Sequence, residues 1–303
     1  MNKFKKLFKI LIVFIFIISI NNFCNSKKEA IGSENNPIIM AAYWVGLNTT
    51  KQTDDSERIF NEKTKLYIKI NNFGSQKNFN DFIEKNKPNI ILISPLDFFD
   101  TTDKSNYEEK LIAIRGDSKF RKGQCMINKE MAKRLNIKSL KDTKGLRAAF
   151  VQKESQTGYL LPLLKIKSIG EDPLRFYKEY KFVDTHPNVV REVIKAKVPD
   201  RDSVVGFAYG GIHIAVSDYV EGAKDLIVLD TTPEIPQEIL YLNKSLSSKT
   251  EQSIIKLFTS RYAESPFKRA IYKLYGIEDF TSDIKYDKDI LLQLYSLQKN
   301  LED

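Results

Sequence analysis

The feature that most constrains the fold of this chain is an alternation of short apolar runs with amphipathic stretches, which begins after residue 36. Apolar runs such as 89–93 and 146–151 have the length of buried strands, whereas 187–195 repeats its apolar residues at helical spacing. This alternation is typical of an α/β protein. Because the remainder of the 303-residue chain is long for a single hydrophobic core, we predict two lobes with a cleft between them.

The predicted elements are strands and helices in alternating groups. The strands lie at 37–43, 65–70, 89–93, 111–115, 124–128, 146–151, 204–209 and 226–229. The helices lie at 53–62, 75–84, 155–166, 187–195, 247–259, 266–275 and 287–301. A chain that leaves the first lobe near Arg115 and returns near Leu229 makes the second lobe a continuous insertion. We therefore predict residues 37–117 and 230–303 as the first lobe and residues 118–229 as the second.

Residues 1–24 have the pattern of an export signal. Lysines between residues 3 and 9 precede an apolar run at 10–20, which is shorter than the about 20 residues needed to span a bilayer as a helix. Cys24 follows at the position where a bacterial lipoprotein carries its lipid, and the polar residues 25–36 predict a tether. Phe23 departs from the small residue usual before such a cysteine, so ordinary cleavage nearby or an uncleaved anchor stays open. We predict a periplasmic or cell-surface protein that is attached to the membrane through Cys24.

Composition argues against several classes of function. The formal charge of +9 includes the lysines of the export segment, and the other lysines form no dense cluster, so we expect no nucleic-acid partner. The two cysteines, Cys24 and Cys125, provide neither a disulfide framework nor a cysteine metal site. Two histidines, with no phosphate-binding glycine loop and no metal-ligand spacing, give little material for catalysis. We therefore expect no enzyme activity, no cofactor and no metal.

The most informative segment follows the predicted strand that ends at Val151. A helix begins within the group Ser155, Gln156, Thr157 and Gly158. Helix N-termini present unpaired backbone N–H groups and the positive end of the helix dipole, and the hydroxyls can add donors for an oxyanion. A simpler interpretation is that Ser155 only caps the helix. On these residues alone, both interpretations stay open.

Several motifs occur in the order found in a known family. They are Ser139-Leu140-Lys141-Asp142, Gly145, Ala148-Ala149-Phe150, Ser155-Gln156-Thr157-Gly158-Tyr159 and Pro162, then 184–190, 193–198 and 226–246, with 87–95 upstream. Together they resemble the PhnD-type periplasmic phosphonate-binding proteins over residues 37–260. The resemblance implies a two-lobed type II periplasmic-binding-protein fold. It also implies capture of a phosphonate, phosphite or phosphate, and delivery of that oxyanion to the permease of an ABC importer.

The resemblance also assigns ligand-binding residues in the second lobe. Ser155, Gln156 and Thr157 occupy the places of a Ser-Thr-Ser turn that grips the phosphonate oxygens, and the amide of Gln156 can still donate. Gly158 lets the backbone approach the ligand, and Tyr159 completes the motif. His186 matches a family histidine that helps to hold the anion.

The first lobe and the crossover match the family less well. Ser75 and Gln76 stand where the family often has a tyrosine, at a helix start that could face the ligand. Arg121 could give a bidentate contact to an oxyanion, although a solvent-facing role is equally consistent with its position, and Tyr43 is a further candidate. Val205 replaces an acidic residue that holds the amine of amino-substituted phosphonates, so we expect a ligand without an amine.

Two other functions fit the same fold. A surface lipoprotein could keep the binding fold and act as a sensor or adhesin in place of a transport component. Alternatively, the cleft could bind a different solute, such as a sulfonate or a vitamin precursor.

Overall fold

The computed structural model describes residues 30–44, 57–61, 66–196, 204–260 and 265–302, with the backbone alone for 57–61. These residues form two α/β lobes joined by a hinge, which is the predicted architecture. The predicted export segment, Cys24 and most of the tether lie outside the described residues. Among the residues that are described, no helix is long and apolar enough to cross a membrane.

The elements take their numbers from chain order. The strands are β1 (Ile38–Tyr43), β2 (Glu57–Asn61), β3 (Leu66–Phe73), β4 (Ile90–Ile93), β5 (Tyr107–Ile114), β6 (Phe120–Arg121), β7 (Gly123–Asn128), β8 (Arg147–Phe150), β9 (Glu179–Phe182), β10 (Val204–Tyr209), β11 (Leu226–Thr231), β12 (Ile235–Pro236), β13 (Ile239–Asn243) and β14 (Asp279–Thr281). The helices are α1 (Gln76–Asn86), α2 (Lys129–Arg134), α3 (Leu161–Ser168), α4 (His186–Lys195), α5 (Ile212–Ala215), α6 (Ser248–Thr259), α7 (Pro266–Tyr275) and α8 (Lys288–Glu302).

Within the described residues, the first lobe is built on a seven-stranded sheet with the order β14-β5-β13-β4-β1-β3-β2. Strand β1 pairs in parallel with β3 on one side and with β4 on the other. Helix α1 covers one face with Phe79 and Ile83, while α6 and α7 cover the other with Phe258 and Phe267. Because both faces are covered, β4 is apolar and buried along its whole length. Each such side chain stabilises the lobe by about 1.5–3 kcal/mol through its removal from water.

The second lobe is built on a five-stranded sheet with the order β11-β7-β10-β8-β9. Strand β8 pairs in parallel with both β9 and β10. Its last residue, Phe150, is fully buried and stacks on Phe207 at 5.0 Å and on Tyr180 at 5.5 Å between ring centroids. On the opposite face, Val189 and Val193 of α4 pack over Gly206, where an added Cβ would lie 2.5 Å from Val193 Cγ2. The sheet is therefore buried on both faces.

The two sheets share a topological property that locates the cleft. In the first lobe, the chain passes from β1 to β3 on one side and then crosses to β4 on the other. In the second lobe, it passes from β8 to β9 and then crosses to β10. Ligands of open α/β sheets bind beyond the carboxyl ends of the strands where the connections diverge in this way. Residues that follow β1, β4, β8 and β10 are therefore expected to border the binding site.

The hinge consists of the short antiparallel pair β6 and β12, with Arg121 opposite Ile235. Strand β11 continues to Thr231, so the predicted lobe boundary after residue 229 falls inside a strand of the second lobe. The chain crosses back toward the first lobe over residues 232–238. The difference arises because β11 pairs with β7 past a bulge, which extends the strand beyond its apolar run.

The predicted boundaries assigned the carboxyl-terminal helix α8 to the first lobe alone. In the structure it contacts both lobes. Leu291, Leu294 and Leu297 are part of the core of the second lobe. On the same helix, the hydroxyl of Tyr295 donates a 2.6 Å hydrogen bond to Asp100 of the first lobe. The apolar stripe of α8 was visible in the sequence, but the surface that it covers depends on tertiary packing.

The predicted helix at 53–62 is wrong where the structure describes it. Glu57–Asn61 is strand β2, which pairs antiparallel with β3 and places Glu57 opposite Ile70. Residues 53–56 and 62 lie outside the described residues. Pairing with the edge of an existing sheet overrides a weak helical preference, because local propensity differences are smaller than the gain from cross-strand contacts.

Candidate ligand-binding cleft

A cleft of about 800 Å³ lies between the lobes, where the carboxyl ends of β1, β4, β8 and β10 come together. The first lobe lines it with Tyr43 and Trp44, at the end of β1, and with Ser94 and Asp97, after β4. The second lobe lines it with the turn that follows β8 and with residues after β9 and β10. The position of the cleft thus follows from the strand order of the two sheets.

The turn after β8 presents hydrogen-bond donors to the cleft. Ser155 is the N-cap of a π-helical turn, Gln156–Leu160, that runs into α3, and its Oγ accepts a 3.1 Å hydrogen bond from the N–H of Gly158. Within the described residues, no acceptor is bonded to the N–H of Gln156 or Thr157. The hydroxyl of Thr157 also has no partner there, although this residue is only 7% exposed. Such donors at the positive end of a helix dipole are suited to binding an oxyanion.

Gly158 and Tyr159 lie behind this turn and do not line the cleft. A Cβ added at Gly158 would come within 2.4 Å of Val151 Cγ2, so glycine is required by packing of the turn on the strand end. The ring of Tyr159 packs edge-on against Phe150 at 5.2 Å and Phe182 at 5.1 Å. Both residues support the turn from the protein interior.

The side chain of Gln156 is bonded to other parts of the protein. Its Nε2 donates a 2.7 Å hydrogen bond to Oγ of Ser94 in the first lobe. Its Oε1 accepts a 2.8 Å hydrogen bond from Nη2 of Arg121 in the hinge strand β6. The side-chain amide of Gln156, which was predicted to donate to a ligand, thus connects the two lobes. The backbone N–H of the same residue remains as a donor.

Arg121 belongs to a cluster of charged groups at the hinge. Its Nη1 donates a 2.9 Å hydrogen bond to Oε1 of Glu238, which is only 3% exposed. The other oxygen of Glu238 accepts from Nε and Nη2 of Arg115, both at 3.1 Å. Buried charges are costly unless they are paired, and here one carboxylate is shared by two guanidinium groups. Within the described residues, the buried Nε of Arg121 has no hydrogen-bond partner.

His186 lines the cleft as the first residue of α4, directly after the N-cap Thr185. Its Nδ1 accepts a 3.1 Å hydrogen bond from the N–H of Tyr209. Burial lowers the pKa of His186 to about 4, because the charged imidazolium loses hydration. The ring is therefore neutral near pH 7 with its proton on Nε2, so that it can act as a neutral donor.

One carboxyl group and one phenol of the first lobe, those of Asp97 and Tyr43, also face the cleft. Burial raises the pKa of Asp97 to about 6, while the charge of Arg121 and the hydroxyl of Ser94 oppose the rise. Burial raises the pKa of Tyr43 to about 12, and the charges of Asp97 and Glu154 raise it further. Tyr43 therefore stays protonated near pH 7 and can donate a hydrogen bond.

The charges that line the cleft are mostly negative. Among the described residues that border it, the carboxylates of Asp97, Glu154, Asp184 and Glu238 stand against the single guanidinium of Arg121. Net positive charge is therefore not what would attract an anion here. The cleft does contain oriented neutral donors, and N–H and O–H dipoles of this kind can bind an oxyanion without a counterion.

Ser75 and Gln76 do not line the cleft. The Oγ of Ser75 caps α1 by accepting from the N–H of Asn78 at 3.2 Å, and Nε2 of Gln76 donates to Asn80 Oδ1 at 3.3 Å. Strand β3, which precedes them, lies on the side of β1 away from β4. The helix predicted at 75–84 is present as α1, but strand order places its start away from the crevice.

Several cleft residues were not predicted from the sequence. They are Trp44, Ser94, Asp97, Asp184, Tyr209, Tyr219 and Glu238. Trp44 and Ser94 directly follow parallel strands, so the rule that ligands bind at carboxyl ends could have identified them once the strand order was known. Glu238 had no local signal, because it contributes through contacts with residues more than a hundred positions away.

The two-lobed fold is shared with solved binding proteins. XAC2383 from Xanthomonas citri, bound to a chloride ion, gives a TM-score of 0.61 at 14% identity over 88% of this chain and 99% of its own. PhnD1 from Prochlorococcus marinus, in complex with methylphosphonate, gives 0.57 at 14% identity over 88% and 99%. A binding protein component of an ABC phosphonate transporter from Pseudomonas aeruginosa gives 0.54 at 18% identity over 88% and 87%. At these identities the likeness establishes the fold.

A sequence profile of the family described as "ABC transporter, phosphonate, periplasmic substrate-binding protein" matches residues 48–284. The chain therefore belongs to this family of periplasmic substrate-binding components of ABC transporters. Both the predicted resemblance and the predicted two-lobed α/β fold are confirmed. No curated protein sequence matches the chain significantly.

Proposed function

We propose that the chain captures a small phosphorus oxyanion, a phosphonate, phosphite or phosphate, in the cleft and delivers it to the permease of an ABC importer. The observation that carries this proposal is the set of unpaired donors after β8. The N–H groups of Gln156 and Thr157 and the hydroxyl of Thr157 have no acceptor within the described residues. His186, which lines the same cleft, adds a neutral Nε2–H.

Recognition in this proposal depends on dipoles at the start of a helix. An oxyanion that gives up its hydration shell there receives several charge-assisted hydrogen bonds, which are stronger than hydrogen bonds between neutral groups. Tyr43 on the opposite lobe adds a protonated hydroxyl. The ligand would stabilise the closed arrangement of the lobes, because only closure brings donors from both lobes to the same anion.

The export segment extends the proposal to location and attachment. An extracytoplasmic protein that feeds a permease must stay close to the membrane, and a lipid on Cys24 followed by the tether would keep it there. The role proposed for the chain is binding, and no reaction is assigned to it.

Thermal unfolding with a series of oxyanions tests the proposed ligand class. The series is phosphate, phosphite, methylphosphonate, aminoethylphosphonate and sulfate, each at millimolar concentration. A ligand that binds only the folded protein stabilises it by about 2.7 kcal/mol at a hundredfold excess over its Kd. We expect a rise in the unfolding midpoint with at least one phosphorus oxyanion and none with sulfate. No rise with any phosphorus compound would contradict the proposal.

A further inference from the structure

The cleft has an aromatic and apolar wall next to the donors of the turn. Ile212, Ala215, Val216 and Tyr219 line it, from the short helix α5 and the turns that follow it. Ala215 and Tyr219 are exposed to the cleft, whereas Ile212 and Val216 lie almost fully buried beneath them. Tyr209 at the end of β10 completes this surface, which we call the Tyr219 wall. Tyr219 is 64% exposed. An exposed aromatic ring inside a cleft is a surface that an apolar group can cover.

The Tyr219 wall is continuous with the proposed anion site. The ring of Tyr209 lies 4.9 Å from the ring of His186, centroid to centroid, at an interplanar angle of 66°. The N–H of Tyr209 also bonds Nδ1 of His186, which directs the Nε2–H of that ring away from the backbone. A substituent on an oxyanion held by His186 would therefore have the Tyr219 wall as its neighbour.

The size of the cleft exceeds what a free oxyanion needs. Its volume of about 800 Å³ lies in the range of about 300–1,000 Å³ found for pockets that bury drug-sized ligands. The cleft has this volume although the lobes are connected by the hydrogen bond from Gln156 to Ser94. Phosphate or phosphite would fill only the space beside the turn and leave the wall uncovered.

Building on the proposed function, we infer that the preferred ligand is an organic phosphonate or phosphate ester with a ring-containing apolar body. The oxyanion binds at the turn around Thr157 and His186, and the organic body packs on the Tyr219 wall. The wall thus acts as a second subsite that selects organic esters over free phosphate and methylphosphonate. Burial of a ring against Tyr209 and Tyr219 supplies the additional affinity through the hydrophobic effect and aromatic contact.

The alternative role for the wall is to seal the cleft against the first lobe during closure. The two roles differ in how they depend on the ligand. A wall that contacts the ligand body affects only ligands that have such a body. A wall that seals the cleft affects every ligand equally, because closure is common to all of them.

The test is isothermal titration of the protein with methylphosphonate and phenylphosphonate, which share the oxyanion and differ in the ring. We expect phenylphosphonate to bind at least about tenfold more tightly than methylphosphonate. We expect Tyr219→Ala to remove most of this preference and leave methylphosphonate affinity within about twofold. The matched control is Tyr272→Ala, because Tyr272 is also exposed, at 58%, but lies on α7 outside the cleft.

Each other outcome overturns a defined part of the inference. Equal affinities for the two phosphonates overturn the wall subsite and leave the proposed function intact. Equal weakening of both ligands by Tyr219→Ala overturns the subsite in favour of the sealing role. Failure of both phosphonates to bind overturns the inference, and the unfolding series with phosphate and phosphite then decides whether the proposed function fails as well. Because Tyr219 is largely exposed, its replacement leaves no buried cavity, and unchanged thermal unfolding of the variant verifies the fold.

Discussion

Gln156 in the second lobe donates a 2.7 Å hydrogen bond to Ser94 in the first, and the same side chain accepts from Arg121 at the hinge. Groups of the protein itself therefore connect the lobes beside the cleft, independently of any ligand contact. A connection of this kind favours the closed arrangement in advance, so that less of the binding free energy is used for closure.

Gln156→Ala removes this connection. We expect the free energy of unfolding to fall by about 1–2 kcal/mol, because two hydrogen bonds are lost and Nη2 of Arg121 keeps no partner. We also expect a larger radius of gyration by small-angle scattering and a weaker affinity for the oxyanion. An unchanged radius of gyration and affinity would show that the connection does not influence closure.

The combined substitution Ser155→Ala and Thr157→Ala removes two hydroxyls from the turn. We expect oxyanion affinity to fall at least about a hundredfold, since hydrogen bonds to charged groups contribute about 1.5–3 kcal/mol each. Loss of the Ser155 cap lowers the free energy of unfolding by about 1 kcal/mol. Fluorescence of Trp44, the single tryptophan and a cleft residue, can follow the titration.

Ser75→Ala is the matched control for that double variant. Ser75 caps α1 in the same way but lies outside the cleft. We expect a similar loss of stability with unchanged affinity. Wild-type affinity in the double variant would remove the turn from the binding site.

His186 provides a prediction on pH. Its folded-state pKa of about 4 lies below the ordinary value of 6.5, so folding favours the neutral ring. Its contribution to the free energy of unfolding is fully present above about pH 6.5 and is lost as pH falls toward 4. In an NMR titration, we expect the His186 ring signals to stay constant from pH 8 to 5. A midpoint near 6.5 would contradict the neutral-donor role.

Asp97 predicts a pH dependence of stability that is opposite in sign to that of His186. Its pKa is raised from 3.8 to about 6, so the ionised carboxylate destabilises the folded state as pH rises from about 4 to about 6. Asp97→Asn should therefore stabilise the protein near pH 7 by up to about 3 kcal/mol and have little effect near pH 3. Urea unfolding at both pH values measures the difference. Equal effects at the two pH values would mean that Asp97 titrates normally.

The same residue links oxyanion binding to pH. An ionised Asp97 repels an anion in the cleft, and protonation removes that repulsion. We expect the affinity ratio of Asp97→Asn to wild type to be largest above pH 6 and to approach one near pH 4.5. Using the ratio at each pH cancels titration of the ligand itself. A ratio that does not change with pH would place Asp97 too far from the bound anion to affect it.

Local sequence patterns determined much of the fold and part of the site. Periodicity predicted strands β1, β4, β7, β8 and β10, and the predicted helices at 75–84, 187–195 and 266–275 correspond to α1, α4 and α7. These features depend on hydrogen bonds and side-chain burial within a few residues, which is why single-chain patterns record them. The Ser155–Thr157 turn and His186 were predicted by resemblance and lie together in the cleft.

The errors occur where distant parts of the chain meet. Glu57–Asn61 became a strand through pairing with β3, and α8 packs across both lobes. The side chain of Gln156 bonds to Ser94 and Arg121, which are far from it in sequence. No local pattern encodes these partners.

The sequence by itself determined the alternation of strands and helices and membership of the binding-protein family. It also determined the turn before α3 that presents free N–H groups. The tertiary structure decided which strand ends meet, and therefore that Tyr43 and Ser94 border the cleft while Ser75 does not. The physical reason is the distance along the chain between the residues that make each contact. Caps and periodicity arise from neighbours along the chain, whereas strand order and the sharing of Glu238 by two arginines arise from contacts between residues that are far apart in sequence.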